Sequence, residues 1–350
     1  MTVETTGKGV LGPVQVLRAI AASMVVVTHC YLYVVPHQPL FVNLGTLGVA
    51  IFFIISGFIM YHTCRNQWTG SPAVARGFFA RRLHRIVPLY WLVTSAIVAL
   101  LLVAGHAVPA WKAALSYLFI PYDFNGEKFR PVLGVGWTLD FEMFFYLLFA
   151  AALLLPKRIG LPAVLGLLAV LGLAGFGFAL TQPIILLFGV GIVLGWVRDS
   201  FSVRMRHSIL VTAALFALTP LALTIDTHPS QLVFLPGIWA MALAWAVPAI
   251  FAPDDARSGR FGLWLGDASY LLYLSHPLVV TVLGVGARYA GLTNITEKAV
   301  TAVIMLVTAI IVAMFGHLWV EKPLTRLTAP IFGRNRKPAP VGTPAGAAVS

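Results

Sequence analysis

A histidine and an arginine lie inside the first membrane-length apolar segment of the chain. Arg18 and His29 are eleven residues apart, so on a helix they lie within about 20° of each other, with a rise of roughly 16 Å between them. Ionisable groups at that depth are costly and are usually functional. Because imidazole titrates near neutral pH, His29 could remove the proton from a hydroxyl group. The pair is the first candidate for a catalytic site.

A carboxylate lies about two turns inside another apolar segment. Glu142 is followed one turn later by Tyr146, on the same helix face. One interpretation is structural, with Glu142 as the partner of a buried cation such as Arg18 or His29. The other is functional, with the carboxylate orienting a catalytic imidazole. The sequence leaves both interpretations open.

A polar stripe marks a later apolar segment. Ser269, Tyr273 and His276 follow one another at helical spacing, and Pro277 comes directly after the histidine. Polar side chains beside a proline break in a membrane helix are typical of a cavity wall. In the second apolar segment, the pair Ser56-Gly57 allows close helix packing or exposes backbone to a ligand.

Three arginines precede a membrane segment. Arg81, Arg82 and Arg85 come just before Pro88, which we expect to open the helix. The cluster could be a topological anchor at the cytoplasmic face. It would also suit a multiply phosphorylated donor, because guanidinium groups bind phosphates in a bidentate manner.

The composition indicates which elements must position these groups. Of the 350 residues, 59% are hydrophobic and only 10% are charged, and the mean hydropathy is +0.89. An ordinary soluble domain does not have this composition. We therefore predict an all-α fold, a polytopic membrane helix bundle with about ten transmembrane helices, near residues 13–35, 44–62, 86–105, 134–155, 161–180, 183–197, 208–225, 231–251, 264–287 and 298–319.

The basic residues predict the orientation of the bundle. Alternate loops, together with the terminal segments, hold 18 of the 24 Lys and Arg residues, so we expect both termini to be cytoplasmic. The net charge of +12 indicates contact with anionic membrane lipid, and the basic residues form no pattern typical of nucleic-acid binding.

Cys30 and Cys64 predict neither a disulfide nor a metal site. We expect a cytoplasmic segment 1–12, a membrane domain 13–325 and a disordered cytoplasmic tail 326–350.

The combined motifs resemble the acyltransferase-3 family of integral membrane O-acyltransferases, and within it the branch of bacterial exopolysaccharide acetyltransferases. The resemblance covers roughly residues 12 to 325. The chain departs from many members in having Val14-Gln15-Val16 where they have Asp-Gly, and Ala50 where they have an acid. The motifs that carry the resemblance are Leu17-Arg18-Ala19 with His29, Phe52-Phe53-x-x-Ser56-Gly57-Phe58, Arg81-Arg82-Leu83-x-Arg85-Ile86-x-Pro88-x-Tyr90-Trp91, Trp137-Thr138-Leu139-x-x-Glu142-x-x-Phe145-Tyr146, Ser269-Tyr270-x-x-Tyr273-Leu274-x-His276 and Val320-Glu321-Lys322-Pro323-Leu324.

The resemblance implies transfer of an acetyl or other acyl group from cytosolic acetyl-CoA to a hydroxyl of a glycan or its lipid-linked precursor. It implies a bacterial inner-membrane location, polysaccharide-assembly proteins as partners, and no metal. His29 would be the catalytic base or a transient acyl carrier. The implied sites are His29, Arg18 and Glu142 for catalysis, Arg81, Arg82, Arg85 and Ser56 for the donor, and Trp137, Tyr273 and His276 for the substrate.

A transporter is the main alternative from the residues alone. Arg18, His29, Glu142 and His276 could line a proton or substrate path in a proton-coupled transporter, or in a flippase-like component of polysaccharide export. Against a transporter, the sequence contains no convincing inverted repeat. The arginine cluster and a deeper imidazole also suit a site divided between donor and acceptor.

Overall fold

The computed structural model describes residues 12–34, 39–122, 131–174, 179–200, 236–252, 258–292 and 294–331. These residues form helices and connecting turns, with no strand among them. The helices are α1 (Gly12–Val34), α2 (Pro39–Cys64), α3 (Pro72–Val103), α4 (Ala110–Tyr117), α5 (Trp137–Ala152), α6 (Lys157–Ala174), α7 (Leu186–Ser200), α8 (Pro236–Phe251), α9 (Arg260–Asp267), α10 (Ser269–Tyr289), α11 (Ile295–Gly316) and α12 (Lys322–Thr328).

The predicted membrane bundle is confirmed. Within the described ranges, eight helical segments are long and apolar enough to cross a membrane, and Gly237–Phe251 is a shorter apolar helix. The predicted helix at 208–225 lies outside the described residues, as does the tail beyond residue 331. The last described helix, α12, extends past the predicted domain boundary at residue 325. The cytoplasmic placement of both termini stays a prediction.

Helix α2 lies at the centre of the bundle. It is the most buried of the long helices, and it packs against α1, α7 and α8. Two glycines bring α2 and α7 close together: a Cβ at Gly57 would overlap the Phe188 carbonyl, and one at Gly191 would overlap the Ile54 carbonyl. Small residues allow such close backbone approach in membrane helices. This contact fixes the position of α2, which forms one wall of the site described below.

Helix α3 begins much earlier than the sequence predicted. Ser71 caps its N-terminus by accepting a hydrogen bond from the Ala73 amide, and Pro72 occupies the first turn. Both residues are typical of a helix start. Pro88, which we expected to open the helix, lies inside it, because a membrane helix tolerates an internal proline when its neighbours satisfy the freed carbonyl. The arginine cluster is therefore part of a continuous helix.

The predicted helix at 264–287 is two helices in the structure. The short α9 ends at Asp267, and α10 begins at Ser269, whose hydroxyl donates to the Gly266 carbonyl at 2.6 Å. The chain bends here and brings α9 against α1, while α10 packs on α1 and α11. The polar stripe of α10 is thereby directed toward α1, the helix that carries Arg18 and His29.

Candidate functional site

A cavity lies between α1, α2, α3, α5 and α10. It holds about 730 Å³ of empty space, part of which is open to solvent. Most of its wall is apolar, and its charged groups are three arginines and one glutamate. The lining residues are Arg18, Val49, Phe52, Phe53, Ile55, Ser56, Ile59, Met60, Arg82, Arg85, Ile86, Thr138, Leu139, Glu142, Tyr146, Ser269, Tyr270 and Tyr273.

The Glu142 carboxylate is held by two hydroxyl groups. Its Oε1 atom accepts a hydrogen bond from Ser56 Oγ of α2 at 3.1 Å. The same oxygen accepts a bond from the hydroxyl of Tyr146, one turn further along α5. Arg18 and Arg82 interact electrostatically with the carboxylate across the cavity. Glu142 is thus oriented by neutral donors while nearby cations balance its charge.

The arginines give the cavity a net positive charge. The Arg82 guanidinium lies over the rings of Phe78 and Tyr146, at 5.6 and 5.9 Å from their centroids. Its Nε atom is buried and has no hydrogen-bond partner among the described residues. Arg85 is more exposed and also lines the cavity. An unpartnered guanidinium N–H in a basic cavity is suited to bind an anionic or carbonyl oxygen.

A side-chain bridge holds Arg18 in place. The Arg18 guanidinium donates to Gln15 Oε1 at 3.1 Å, and Gln15 Nε2 donates to the Asp267 carboxylate at 2.5 Å. Asp267 is the last residue of α9, so the bend before α10 determines where Arg18 is anchored. Gln15 therefore connects α1 to this bend through its hydrogen bond to Asp267, and its bond to Arg18 is made within α1.

Tyr273 of α10 is part of the cavity wall beside Thr138. Its hydroxyl donates to the Val135 carbonyl at 3.1 Å and lies 2.7 Å from the Thr138 hydroxyl. Phe52 packs edge-on against the Tyr273 ring, with 5.8 Å between centroids. Tyr273 is consequently a fixed part of the wall.

His29 and His276 lie together behind Tyr273. Their ring centroids are 4.9 Å apart, and the His276 and Tyr273 centroids are 6.0 Å apart. His29 Nδ1 donates to the Val25 carbonyl at 2.9 Å, and His276 Nδ1 donates to the Leu272 carbonyl at 3.2 Å. A carbonyl can only accept, so Nδ1 carries the proton in both rings and the Nε2 atoms carry the lone pairs. Both imidazoles therefore have the tautomer of a base that acts through Nε2.

The structure brings together most of the residues predicted from the sequence, but not all of them. His29 is partly buried and His276 fully buried, and neither lines the cavity. Arg81 is exposed beside Gly77, and Trp137 packs edge-on against Phe141. The predicted site residues that line the cavity are Arg18, Ser56, Arg82, Arg85, Glu142 and Tyr273.

Some cavity residues were missed by the sequence interpretation. Thr138 lies one turn before Glu142, and Tyr270 lies one turn before Tyr273, so helical spacing from the recognised residues would have found both. The Tyr270 hydroxyl donates to the Ile86 carbonyl at 2.8 Å, which ties α10 to α3. Gln15 gave no such signal, because its role depends on contact with Asp267 in a distant part of the chain.

Comparisons with known proteins agree on one family. The profile of a family described as acyltransferase domain matches residues 14–318. The exopolysaccharide production protein ExoZ of Rhizobium meliloti is 32% identical, and the match covers 83% of this chain and 95% of that protein. The acyltransferase MdmB of Streptomyces mycarofaciens is 25% identical, and the match covers 87% of this chain and 86% of that protein. No solved structure matches the chain significantly.

Proposed function

Because the chain belongs to the acyltransferase-3 family and is an integral membrane acyltransferase, we propose that its donor is acetyl-CoA or a related acyl-CoA. The proposed acceptor is a hydroxyl of a cell-surface glycan, an exopolysaccharide, or its lipid-linked precursor. The name of the 32% identical ExoZ, an exopolysaccharide production protein, supports a polysaccharide acceptor. Such a reaction would take place in the bacterial inner membrane, next to polysaccharide-assembly proteins.

One observation carries this proposal: Tyr273, which lines the basic cavity, also packs against His276, whose ring neighbours that of His29. Arg82 and Arg85 supply positive charge at the α3 side of the cavity, and the Arg82 Nε–H lacks a partner among the described residues. Phosphates of the donor fit this side, since arginine binds phosphate oxygens bidentately. The apolar wall suits the acyl-pantetheine arm, which would extend toward Tyr273.

The chemistry requires a base and a site for developing negative charge. In the proposed reaction, His29 Nε2 takes the proton of the acceptor hydroxyl, and the hydroxyl oxygen attacks the thioester carbon. The new C–O bond forms as the C–S bond breaks, and the sulfur leaves as the coenzyme thiolate. His29 can serve because its Nδ1–H is held by the Val25 carbonyl, which keeps Nε2 free of the ring proton.

Arg18 and Glu142 are proposed to support this step from the cavity. Arg18, anchored by Gln15, would stabilise negative charge on the donor. Glu142 would hold the arginines in place by attraction and offset their mutual repulsion, and Ser56 would position that carboxylate. Arg81 is exposed, so we place it at the rim, where it would contact the outermost donor phosphate. Trp137 stays a proposed acceptor contact beside α5.

The test uses purified protein in lipid nanodiscs with radiolabelled acetyl-CoA and candidate glycans. We expect label to move to a glycan hydroxyl with wild-type protein and with His106→Ala, which removes an exposed histidine after α3. His29→Ala should abolish the transfer without loss of folded protein. Normal turnover by well-folded His29→Ala would remove His29 from the mechanism. Donor-independent passage of a glycan across the membrane, with no label transfer, would instead indicate a transporter.

A further inference from the structure

The buried histidine behind His29 has a nitrogen that the fold leaves unused. His276 is 0% exposed, and its Nε2 atom has no hydrogen-bond partner among the described residues. Buried polar atoms are nearly always bonded, so an exception in a site region needs an explanation. His276 does not line the cavity, so a sugar bound in the cavity would not reach this nitrogen.

The two imidazoles carry their ring protons on the same nitrogen. Val25 and Leu272 carbonyls hold the Nδ1 protons of His29 and His276, so both Nε2 atoms carry lone pairs while the rings are neutral. Two lone pairs cannot bond to each other, so while both rings are neutral neither can serve the other as a donor through Nε2. One additional proton on either Nε2 would allow an N–H···N bond between rings whose centroids are 4.9 Å apart.

We propose that His29 and His276 form a dyad that binds one proton during acyl transfer, with His276 as the positioning residue for protonated His29. The proposal rests on the proposed function, because acyl transfer supplies the proton. His29 Nε2 takes the proton from the acceptor hydroxyl, and once that oxygen has left Nε2 to bond the thioester carbon, the new Nε2–H donates a hydrogen bond to His276 Nε2. The proton afterwards passes to the departing thiolate, so the dyad returns to its neutral form.

The surroundings of His29 and His276 favour binding of one proton by the pair and oppose binding of two. The site is desolvated, so an isolated imidazolium is unfavourable there and gains from a hydrogen-bond acceptor. Two adjacent imidazolium ions would repel each other strongly in the same surroundings. The Tyr273 ring lies against His276 and its hydroxyl is bonded to Val135 and Thr138, so that hydroxyl is already committed to other partners. His276 is therefore the acceptor that His29 can reach.

Replacements of His276 separate this role from a structural one. Leucine removes both nitrogens. Asparagine places an amide near the Leu272 carbonyl but is too short to reach His29. Glutamine carries an amide oxygen about as far as Nε2 and can accept a hydrogen bond from protonated His29. The neighbouring Ser275 has a buried, unpartnered hydroxyl, so Ser275→Ala is a matched control that removes a buried polar atom and leaves both rings.

The experiment measures kcat and the donor KM in nanodiscs for each variant, beside its melting temperature. We expect His276→Leu and His276→Asn to lower kcat roughly 10- to 100-fold, the range for one lost hydrogen bond to a charged group, with little change in donor KM. His276→Gln should recover most of kcat, and Ser275→Ala should match wild type. If His276→Leu does not stay folded, the comparison uses His276→Gln and His276→Asn, which differ in how far the side-chain amide extends.

Two outcomes would overturn the dyad. If His276→Leu keeps wild-type kcat, the second nitrogen has no part in the reaction. If Asn restores kcat and Gln does not, the bond to the Leu272 carbonyl is what matters, and the role is structural. Either result leaves the proposed function intact as long as wild-type protein transfers label and His29→Ala does not. Absence of transfer by wild-type protein would instead contradict the proposed function.

Discussion

The Ser56 hydroxyl of α2 donates a hydrogen bond to the Glu142 carboxylate of α5, with 3.1 Å between Oγ and Oε1. The Tyr146 hydroxyl donates to the same oxygen. The sequence interpretation offered a buried cation as the direct partner of Glu142. In the described part of the chain, hydroxyl groups hold the carboxylate and the cations act on it only through space.

The first prediction concerns this carboxylate. Glu142→Gln keeps an oxygen that accepts from Ser56 and Tyr146, so we expect the melting temperature to change little. It removes the negative charge between Arg18 and Arg82, so kcat should fall at least tenfold. Glu142→Ala also leaves both hydroxyl groups without an acceptor, which should cost about 1–3 kcal/mol of unfolding free energy. Melting in detergent, measured beside turnover, checks both variants. Full activity of Glu142→Gln would contradict a role for the charge.

The second prediction separates the arginines of α3. Arg82→Gln should raise the donor KM about tenfold or more, because a guanidinium bond to phosphate contributes about 1.5–3 kcal/mol. Arg81→Gln should have a smaller effect, since Arg81 is exposed and lies outside the cavity. Arg76→Gln is the control: Arg76 is exposed on the same helix, and among the described residues it bonds to the Pro72 carbonyl at 3.4 Å. Titration of acetyl-CoA against each variant gives the donor KM values. If the three variants have equal KM values, the arginine cluster is a topological anchor and does not bind the donor.

The third prediction concerns the other carboxylate of α5. Asp140 is 3% exposed, and its Oδ1 atom has no hydrogen-bond partner among the described residues. It lies two residues before Glu142 and so faces away from the cavity, about 200° around the helix. Burial of an unpartnered carboxyl group is unfavourable. Asp140→Asn should therefore stabilise the fold by about 1 kcal/mol and leave turnover unchanged. A lower melting temperature would show that the carboxylate has a stabilising role.

The fourth prediction tests the cavity wall formed by Tyr273 and Thr138. Tyr273→Phe and Thr138→Val each remove the 2.7 Å contact between the two hydroxyl groups. Each change should lower the unfolding free energy by about 1 kcal/mol. The double variant should lose less than the sum, because the two changes remove the same bond. A double-mutant cycle of melting temperatures measures this coupling, and strict additivity would mean that the hydroxyl groups act independently.

The fold class followed from the sequence because lipid imposes one solution on long apolar segments. The positions of the helix ends did not follow from the sequence. The proline at position 88 is a helix-start signal in soluble proteins, whereas here Ser71 and Pro72 begin the helix. The break after Asp267 was also missed, since the apolar pattern continues through it and the bend depends on packing of α9 against α1.

The candidate site was predictable where one helix carries two of its members. Arg82 and Arg85, or Tyr273 and His276, are related by spacing alone. Contacts between helices were not predictable: the sequence cannot place Ser56 against Glu142, Gln15 against Asp267, or His29 against His276. These contacts depend on which faces of the helices meet, and that is decided by the packing of the whole bundle.

The glycine contact between α2 and α7 has a mechanical consequence. With Gly57 and Gly191 each set directly against the carbonyl of the opposite helix, sliding of α2 along α7 would drive backbone atoms into one another. A transporter that alternates its access by rocking one group of helices against another would have to place its sliding interface elsewhere than along this contact. Acyl transfer needs no such rocking, because the reaction moves only the acyl group from one bond to another.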